Sequence, residues 1–288
     1  MSSECTSPAK VPTSEAEDRT LRRKTCRFIQ EAGRVLKLGR VATATAMVFF
    51  HRFFSHHKFS EHDRFEVAVA CVLLAAKTEE TPRKLPHVIQ ECNRLKNPTN
   101  AIMDTKSDEY IQQKERILLL ERVVLHTINF DLSIEHPDTY VFDTVLKMGK
   151  SRQVEYEPSA ETSGKDRSKL QQVLMQNSIN FVNDSMCTHL CLKYSAKDIA
   201  MACIYLGGKF TKIRPVNDVT WMDALGISLE TLVGITEQIM ELITESKGSK
   251  SSLITGYNDI KGDLNLLKAT KGKHELSDER RDPKRQRI

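Results

Sequence analysis

The residues of this sequence that could do chemistry fall into a few groups. Cys187-x-His189-x-Cys191 has the ligand types of a metal corner, and Cys187 and Cys191 can share a helix face. A structural zinc site needs four ligands, however, and no second pair follows at useful spacing. His56, His57 and His62 cluster at a helix end and the loop after it, and read as solvated surface rather than as ligands. Glu121 is a different matter, because it sits within the apolar stripe Ile117, Leu120, Val124, Ile128, with Leu125 one turn on. An ionised carboxylate left unpaired there would cost several kcal/mol, so it requires a partner. Lys77 is a candidate, either as an intramolecular pair or as one half of a two-residue anchor for another molecule. There is no GxGxxG, GxxxxGK or GxSxG. No catalytic residue, metal site or cofactor is expected.

The chain that must position these groups has 288 residues, enough for two domains of ordinary size. Its net charge of +5 is mild and does not by itself argue for nucleic acid or an anionic membrane. Seven cysteines, an odd number without a CxxC pair, sit partly inside apolar helical runs. That is the pattern of reduced, buried thiols, not of a disulfide framework. No apolar run reaches the roughly 18 residues of a membrane span, and the polar N-terminus has no signal-peptide core. A soluble, intracellular protein is expected.

Along the chain, residues 1–17 are rich in Ser, Thr and Pro and read as a disordered lead-in. From Asp18 the periodicity is helical. Helices are predicted to the break at Gly39, over 40–57 with VFFHRFF, over 63–79, and from the Pro82/Pro86 frame to about Leu95. Further helices are expected at roughly 107–129, from Pro137 to Met148, and at about 167–187, 195–210, 215–224 and 228–246. No segment shows sustained two-residue alternation, so no sheet is expected and the fold class is all-α. Residues 248–288 form a polar, basic tail, expected to be disordered. Within it Lys284, Arg285 and Arg287 resemble a short basic import signal, although solvated tail charge explains them equally well.

One segment occurs twice. EVAVACVLLAAKTEE (66–80) is matched by DIAMACIYLGGKF (198–210) at a constant offset of 132, with Ala68/Ala200, Ala70/Ala202, Cys71/Cys203, Leu74/Leu206 and Lys77/Lys209 identical. Each copy opens with a capping-box pattern, Asp63-x-x-Glu66 and Ser195-x-x-Asp198. A helix apolar all round is a central one, and its small residues let neighbouring helices approach closely. The duplication implies two similar helical domains, expected at 18–132 and 133–247. Only the first copy runs on into the acidic TEE.

With that architecture, LLAAKTEETPRKLPHVI and LERVVLHTINFDLSIEHP resemble the cyclin box, and FHRFF and FVNDS are similar to its transcription-associated members. The resemblance covers roughly residues 20–247. It is closest to the cyclin K, T and L group, with K or T favoured. It implies a fold of tandem duplicated five-helix cyclin boxes, the first of which holds a kinase. It also implies that Lys77 and Glu121 form the main polar anchor, both contacting backbone around the kinase's mobile αC helix. Thr78, Glu79 and Glu80 would form its rim, and Leu125 and Phe130 apolar contacts beside it, with core packing an alternative for Phe130. The second copy keeps Lys209 but follows it with FTK, so only the first would dock.

The implied function is that of a regulatory subunit that binds and activates a transcriptional cyclin-dependent kinase. The complex would act in the nucleus on the RNA polymerase II C-terminal domain and promote elongation. No membrane and no direct nucleic acid contact is expected. The pattern also departs from parts of the family. The apolar M-R-A-I-L docking motif of cell-cycle cyclins is replaced by Leu21-Arg22-Arg23-Lys24-Thr25, read as a charged surface. His51 stands where those cyclins have an Asp that pairs with the motif's Arg, and reads as a hydrogen-bonded core residue. Residues 1–17 lack the aromatic N-terminal motif of cyclins K and T, and the loop at 150–168 is long. The rival readings are a TFIIB-like DNA-bound factor, for which a zinc ribbon and a basic face are missing, and a helical scaffold with no kinase.

Overall fold

The computed structural model describes residues 14–99, 103–158 and 166–247, together with 262 and 265. The basic cluster Lys284, Arg285 and Arg287, most of the C-terminal tail and residues 1–13 lie outside the described residues. Among the described residues there are ten α-helices: α1 (Glu15–Val35), α2 (Arg40–His56), α3 (Arg64–Thr78), α4 (Leu85–Lys96), α5 (Asp108–Thr127), α6 (Pro137–Lys150), α7 (Leu170–Ser185), α8 (Ala196–Thr211), α9 (Trp221–Leu225) and α10 (Leu229–Lys247). They divide into two compact units. The first runs to His136 and also takes in Met186–Lys193; the second comprises Pro137–Ser185 and the chain from Tyr194 onward. Five helices fall in each.

In the first unit α3 is central, with Val67 through Ala76 all buried. It packs against α1, α2, α4 and α5. Phe49, Phe50 and Phe53 of α2, Ile29 of α1, Ile89 of α4 and Ile117 of α5 fill the space around it. In the second unit α8, starting 132 residues after α3, takes the same central place against α6, α7 and α10. The small residues act as expected. A Cβ added to Gly207 would come within 2.7 Å of Ser178 Oγ on α7, and one added to Gly208 would collide with the Trp221 ring.

Local chemistry explains where the elements start. Helix α1 begins at Glu15, three residues before the expected start at Asp18, because Ser14 and Glu17 form a reciprocal capping box. Asp63 accepts from the Phe65 and Glu66 N–H groups and Ser195 from that of Asp198. The reciprocal half of each predicted box is diverted, however: Glu66 pairs with Arg116 at 3.0 Å, and Asp198 takes the Ser195 hydroxyl at 2.8 Å.

Three expectations need correction. A short antiparallel pairing joins β1 (Val154–Tyr156) to β2 (Ile213–Pro215), with Glu155 opposite Arg214. Three residues are too few for alternation to be visible in sequence. The helix expected at 215–224 is confined to Trp221–Leu225, because β2 occupies its start and Asn217 and Asp218 adopt left-handed backbone, with φ 59° and 55°. The helix expected at 167–187 begins with a 3-10 turn and ends at Ser185, where Met186–Lys193 leaves to join the first unit.

Candidate functional site

Helices α3 and α5 are held together near both ends of α3 by ion pairs, Glu66 with Arg116 at its start and Lys77 with Glu121 at its end. The second pair joins the two residues picked out by their spacing. Lys77 Nζ lies 2.7 Å from Glu121 Oε1 and 2.9 Å from Oε2. The carboxylate side chain is 11% exposed and the lysine side chain 53%, so the pair is open to solvent on one side only. The Oε1 contact is close but poorly aligned, and Oε1 has no hydrogen bond of good geometry. It is therefore an electrostatic contact, and Oε1 itself is shielded from solvent. An ammonium group has three N–H donors, so Lys77 also has capacity beyond Glu121. Lys77 can thus offer donors to a passing backbone while Glu121 holds its ammonium in place.

The chain leaving α3 is shaped by its cap. Glu80 adopts φ 53°, while Thr81 N–H donates to Ala76 C=O at 2.9 Å and Glu80 N–H to Lys77 C=O at 3.2 Å. This is a Schellman ending made without glycine. Arg83 then donates to the carbonyls of Leu36 and Lys37 at 2.8 and 2.7 Å, tying the segment to the end of α1. Thr78 bonds back to Leu74 C=O at 3.0 Å. Glu80 is exposed and Glu79 partly buried. Glu79 is not merely part of a rim: its carboxylate accepts from the fully buried Thr45 hydroxyl at 2.7 Å. His136 Nε2 lies 2.9 Å from the same hydroxyl. Since Thr45 gives its single proton to Glu79, it accepts from His136 Nε2–H. Thr45, His136 and Arg83 are structural supports that periodicity did not reveal; Arg83 and His136 left a trace in sequence only as members of TPRKLPHVI and IEHP, and Thr45 left none.

At the far end of α5 the turn is tighter. Asn129 and Phe130 both lie in the left-handed region, at φ 53° and 59°. One such residue completes a helix C-terminus, but a second, aromatic one is costly, at roughly 1–2 kcal/mol. Phe130 N–H donates to Leu125 C=O at 3.0 Å, and Arg52 fastens the turn through Asp131 at 2.9 Å. The Phe130 ring is 59% exposed and meets His126 edge-on. Core packing is therefore not its role. Leu125 is partly buried.

The other sequence candidates are placed as follows. Arg22 is buried, not part of a charged surface. It pairs with Asp18 at 3.0 Å, donates to Phe54 C=O at 2.5 Å and lies over the Phe59 ring. His51 is fully buried, as expected of a core residue. Its Nε2 lies 3.0 Å from the Met186 carbonyl, which can only accept, so Nε2 carries the proton. Burial, with the Arg22 charge behind it, pushes the His51 pKa down to about 3. Cys26, Cys71 and Cys203 are buried thiols outside any disulfide, and burial raises their pKa values; Cys187 is buried as well. Burial pushes Cys92 and Cys191 up to about 12. Such thiols are inert.

Residues 2–133 match the family model of the cyclin N-terminal domain. Among curated proteins, the chain is similar to cyclin-T1-4 of Arabidopsis thaliana, 34% identical over 262 residues, covering 89% of this chain and 45% of the relative. It is similar to human cyclin-K, 33% identical over 245 residues, covering 82% and 38%. Chicken cyclin-L1 is 34% identical over 248 residues, covering 84% and 42%. The chain thus spans less than half the length of these relatives. Among solved structures, a chain of the yeast RNA Pol II CTD kinase CTDK-1 complex superposes with a TM-score of 0.62 at 19% identity, covering 82% of this chain and 69% of that one. A chain of the Chaetomium thermophilum CAK complex gives 0.56 at 14% identity, covering 97% and 85%. At these identities the likeness is one of fold. The chain belongs to the cyclin family, alongside its transcription-associated T, K and L members.

Proposed function

We propose that this chain is the regulatory subunit of a transcriptional cyclin-dependent kinase, which it binds through the end of α3 and activates. The chain contributes no catalytic group. The observation that carries the reading is the Lys77–Glu121 pair, a carboxylate sheltered to 11% exposure that holds a half-exposed ammonium at the surface. Exposed Phe130 and Glu80, both in strained left-handed backbone, supply the neighbouring contacts. Strain of this kind is kept where a surface has a task. Leu125, Thr78 and Glu79 complete the contact set.

A protein kinase needs the ion pair between its β3 Lys and αC Glu to orient ATP. A subunit that binds only the αC-in form shifts the population toward it. Turning a 1:99 equilibrium into 99:1 takes roughly 5.5 kcal/mol of differential affinity, within reach of a standard interface with a few good anchors. The substrate proposed for the complex is the RNA polymerase II C-terminal domain, and its compartment the nucleus. This rests on the T, K and L relatives and on the Pol II CTD kinase named in a structural neighbour.

The test mixes candidate transcriptional kinases with wild-type chain, Glu121→Ala and Lys77→Ala/Glu121→Ala, and follows phosphorylation of a polymerase C-terminal-domain peptide. Folding of each variant is checked by circular dichroism. Stimulation by wild type that is lost in the folded variants supports the reading and identifies the kinase. No stimulation of any kinase, or full activity of the double variant, replaces it with the scaffold reading.

A further inference from the structure

The turn between α2 and α3 brings two imidazoles and a carboxylate together, in an arrangement the surface reading of these histidines did not anticipate. One ligand atom each from His57, Glu61 and His62 lies within 4.8 Å of the others. His57 and His62 are both partly buried. The His57 ring stacks on Phe53, with centroids 4.4 Å apart, and His62 stands edge-on to both Phe53 and His57 at 5.1 Å. His56 takes no part; its Nδ1 turns toward the Arg52 carbonyl at 3.0 Å.

The surrounding hydrogen bonds prepare the ligand atoms. The Thr127 hydroxyl donates to Val123 C=O at 2.8 Å, so toward His57 Nε2, 3.2 Å away, it can only accept. Nε2 therefore carries the proton, and His57 offers its Nδ1 electron pair. An imidazole whose other nitrogen donates to a fixed acceptor is the usual state of a metal ligand. Glu61 Oε2 accepts from Lys58 N–H at 3.1 Å, which orients the carboxylate and leaves Oε1 available.

We infer that His57, Glu61 and His62 form a binding site for a divalent transition-metal ion of the zinc class, with a fourth position open to water. Two imidazoles and one carboxylate are a ligand set that zinc accepts. Bonds of 2.0–2.1 Å put ligand atoms about 3.3 Å apart in a tetrahedron, so 4.8 Å closes with small side-chain rotations. Occupation would brace the α2–α3 turn, and through Thr127 the end of α5. The inference does not depend on the kinase reading, since the chain alone should bind the ion.

The test titrates Zn2+ into the full chain against a chromophoric chelator, then repeats the titration with Co2+ and records the spectrum. The expected result is one bound equivalent, no sulfur-to-metal charge-transfer band, and Co2+ broadening of the His57 and His62 ring resonances. His62→Ala and His57→Ala, with helical content unchanged, should each lose at least a hundredfold in affinity. Thr127→Val keeps all three ligands and should lose about tenfold, with Thr127→Ser restoring wild-type affinity. The inference is overturned by no binding, by wild-type affinity in folded His62→Ala, or by a thiolate band showing the metal on Cys187 and Cys191.

Discussion

The ends of α3 and α8 started from one pattern and have opposite surroundings. In the first unit Lys77 closes α3 at the surface, Glu80 turns the chain in left-handed backbone, and the sheltered Glu121 carboxylate lies beneath an open rim. In the second, α8 runs on to Thr211, which is buried, and Lys212 takes the left-handed cap at φ 57°. The chain then enters β2 directly, where Ile213 is fully buried and pairs across to Tyr156 of β1. Glu157 N–H donates to Lys212 C=O at 2.8 Å and closes that end further. The same helical end is thus an open surface in one copy and is covered by the chain's own strands in the other. A duplicated fold can keep one helical end open by filling the second from within. Residues 154–157, which supply β1 and the hydrogen bond after it, are the material that does it.

The comparison breaks most severely at Gly208. Ala76 holds the equivalent place in α3 and has a Cβ, whereas at Gly208 the Trp221 ring occupies that space. Gly208→Val should destabilise the chain by about 3 kcal/mol, from overpacking, read as a fall in the thermal midpoint. A neutral outcome would mean that the two central helices are packed alike. Next in size is the asymmetry of the lysines. Glu121→Ala should weaken kinase stimulation by about thirtyfold, ~2 kcal/mol, and Lys77→Ala should weaken it several-fold. Lys209→Ala should leave it unchanged, and equal losses at Lys77 and Lys209 would remove the distinction between the two ends.

His51 tests the buried side of the first unit. Its folded pKa, about 3, is below the unfolded value near 6.5. The unfolded chain therefore binds more protons between those values, and stability falls as pH drops from about 6.5 toward 3. The slope from this residue is about 1.4 kcal/mol per pH unit, and His62 and His189, both lowered first by burial, push the same way. Denaturant unfolding at pH 7 and pH 5.5 should show the loss, and His51→Gln should flatten it; an unchanged slope in that variant would show that His51 is not its source. The smallest effect concerns Phe130. Phe130→Gly relieves the second left-handed residue and should stabilise the chain by roughly 1 kcal/mol, while weakening the kinase complex. Lower stability together with unchanged kinase affinity would mean that the ring packs instead of docking.

What could be read from sequence alone is local in its physics. Helix periodicity, the Ser195 and Asp63 caps, Pro137 in a first turn and the 132-residue repeat depend on neighbours three or four positions apart. Glu121 stood out for the same reason, because a carboxylate within an apolar stripe demands a partner wherever that stripe is buried. Its pairing with Lys77 was one of two readings, and only the packing of α3 on α5 brought them within 2.9 Å. The strands, Glu79's bond to Thr45 and the Met186–Lys193 segment under His51 join residues 34 to 135 positions apart. Such contacts leave no periodic trace. Phe130 shows the division at one residue. The resemblance implied a surface contact with core packing as the alternative, and it was the left-handed turn, fastened by Arg52 to Asp131, that put the ring outside. Sequence determined most of the helices and which charge needed a partner. Tertiary structure decided which helical end stayed open, because that depends on what the rest of the chain had left to cover it.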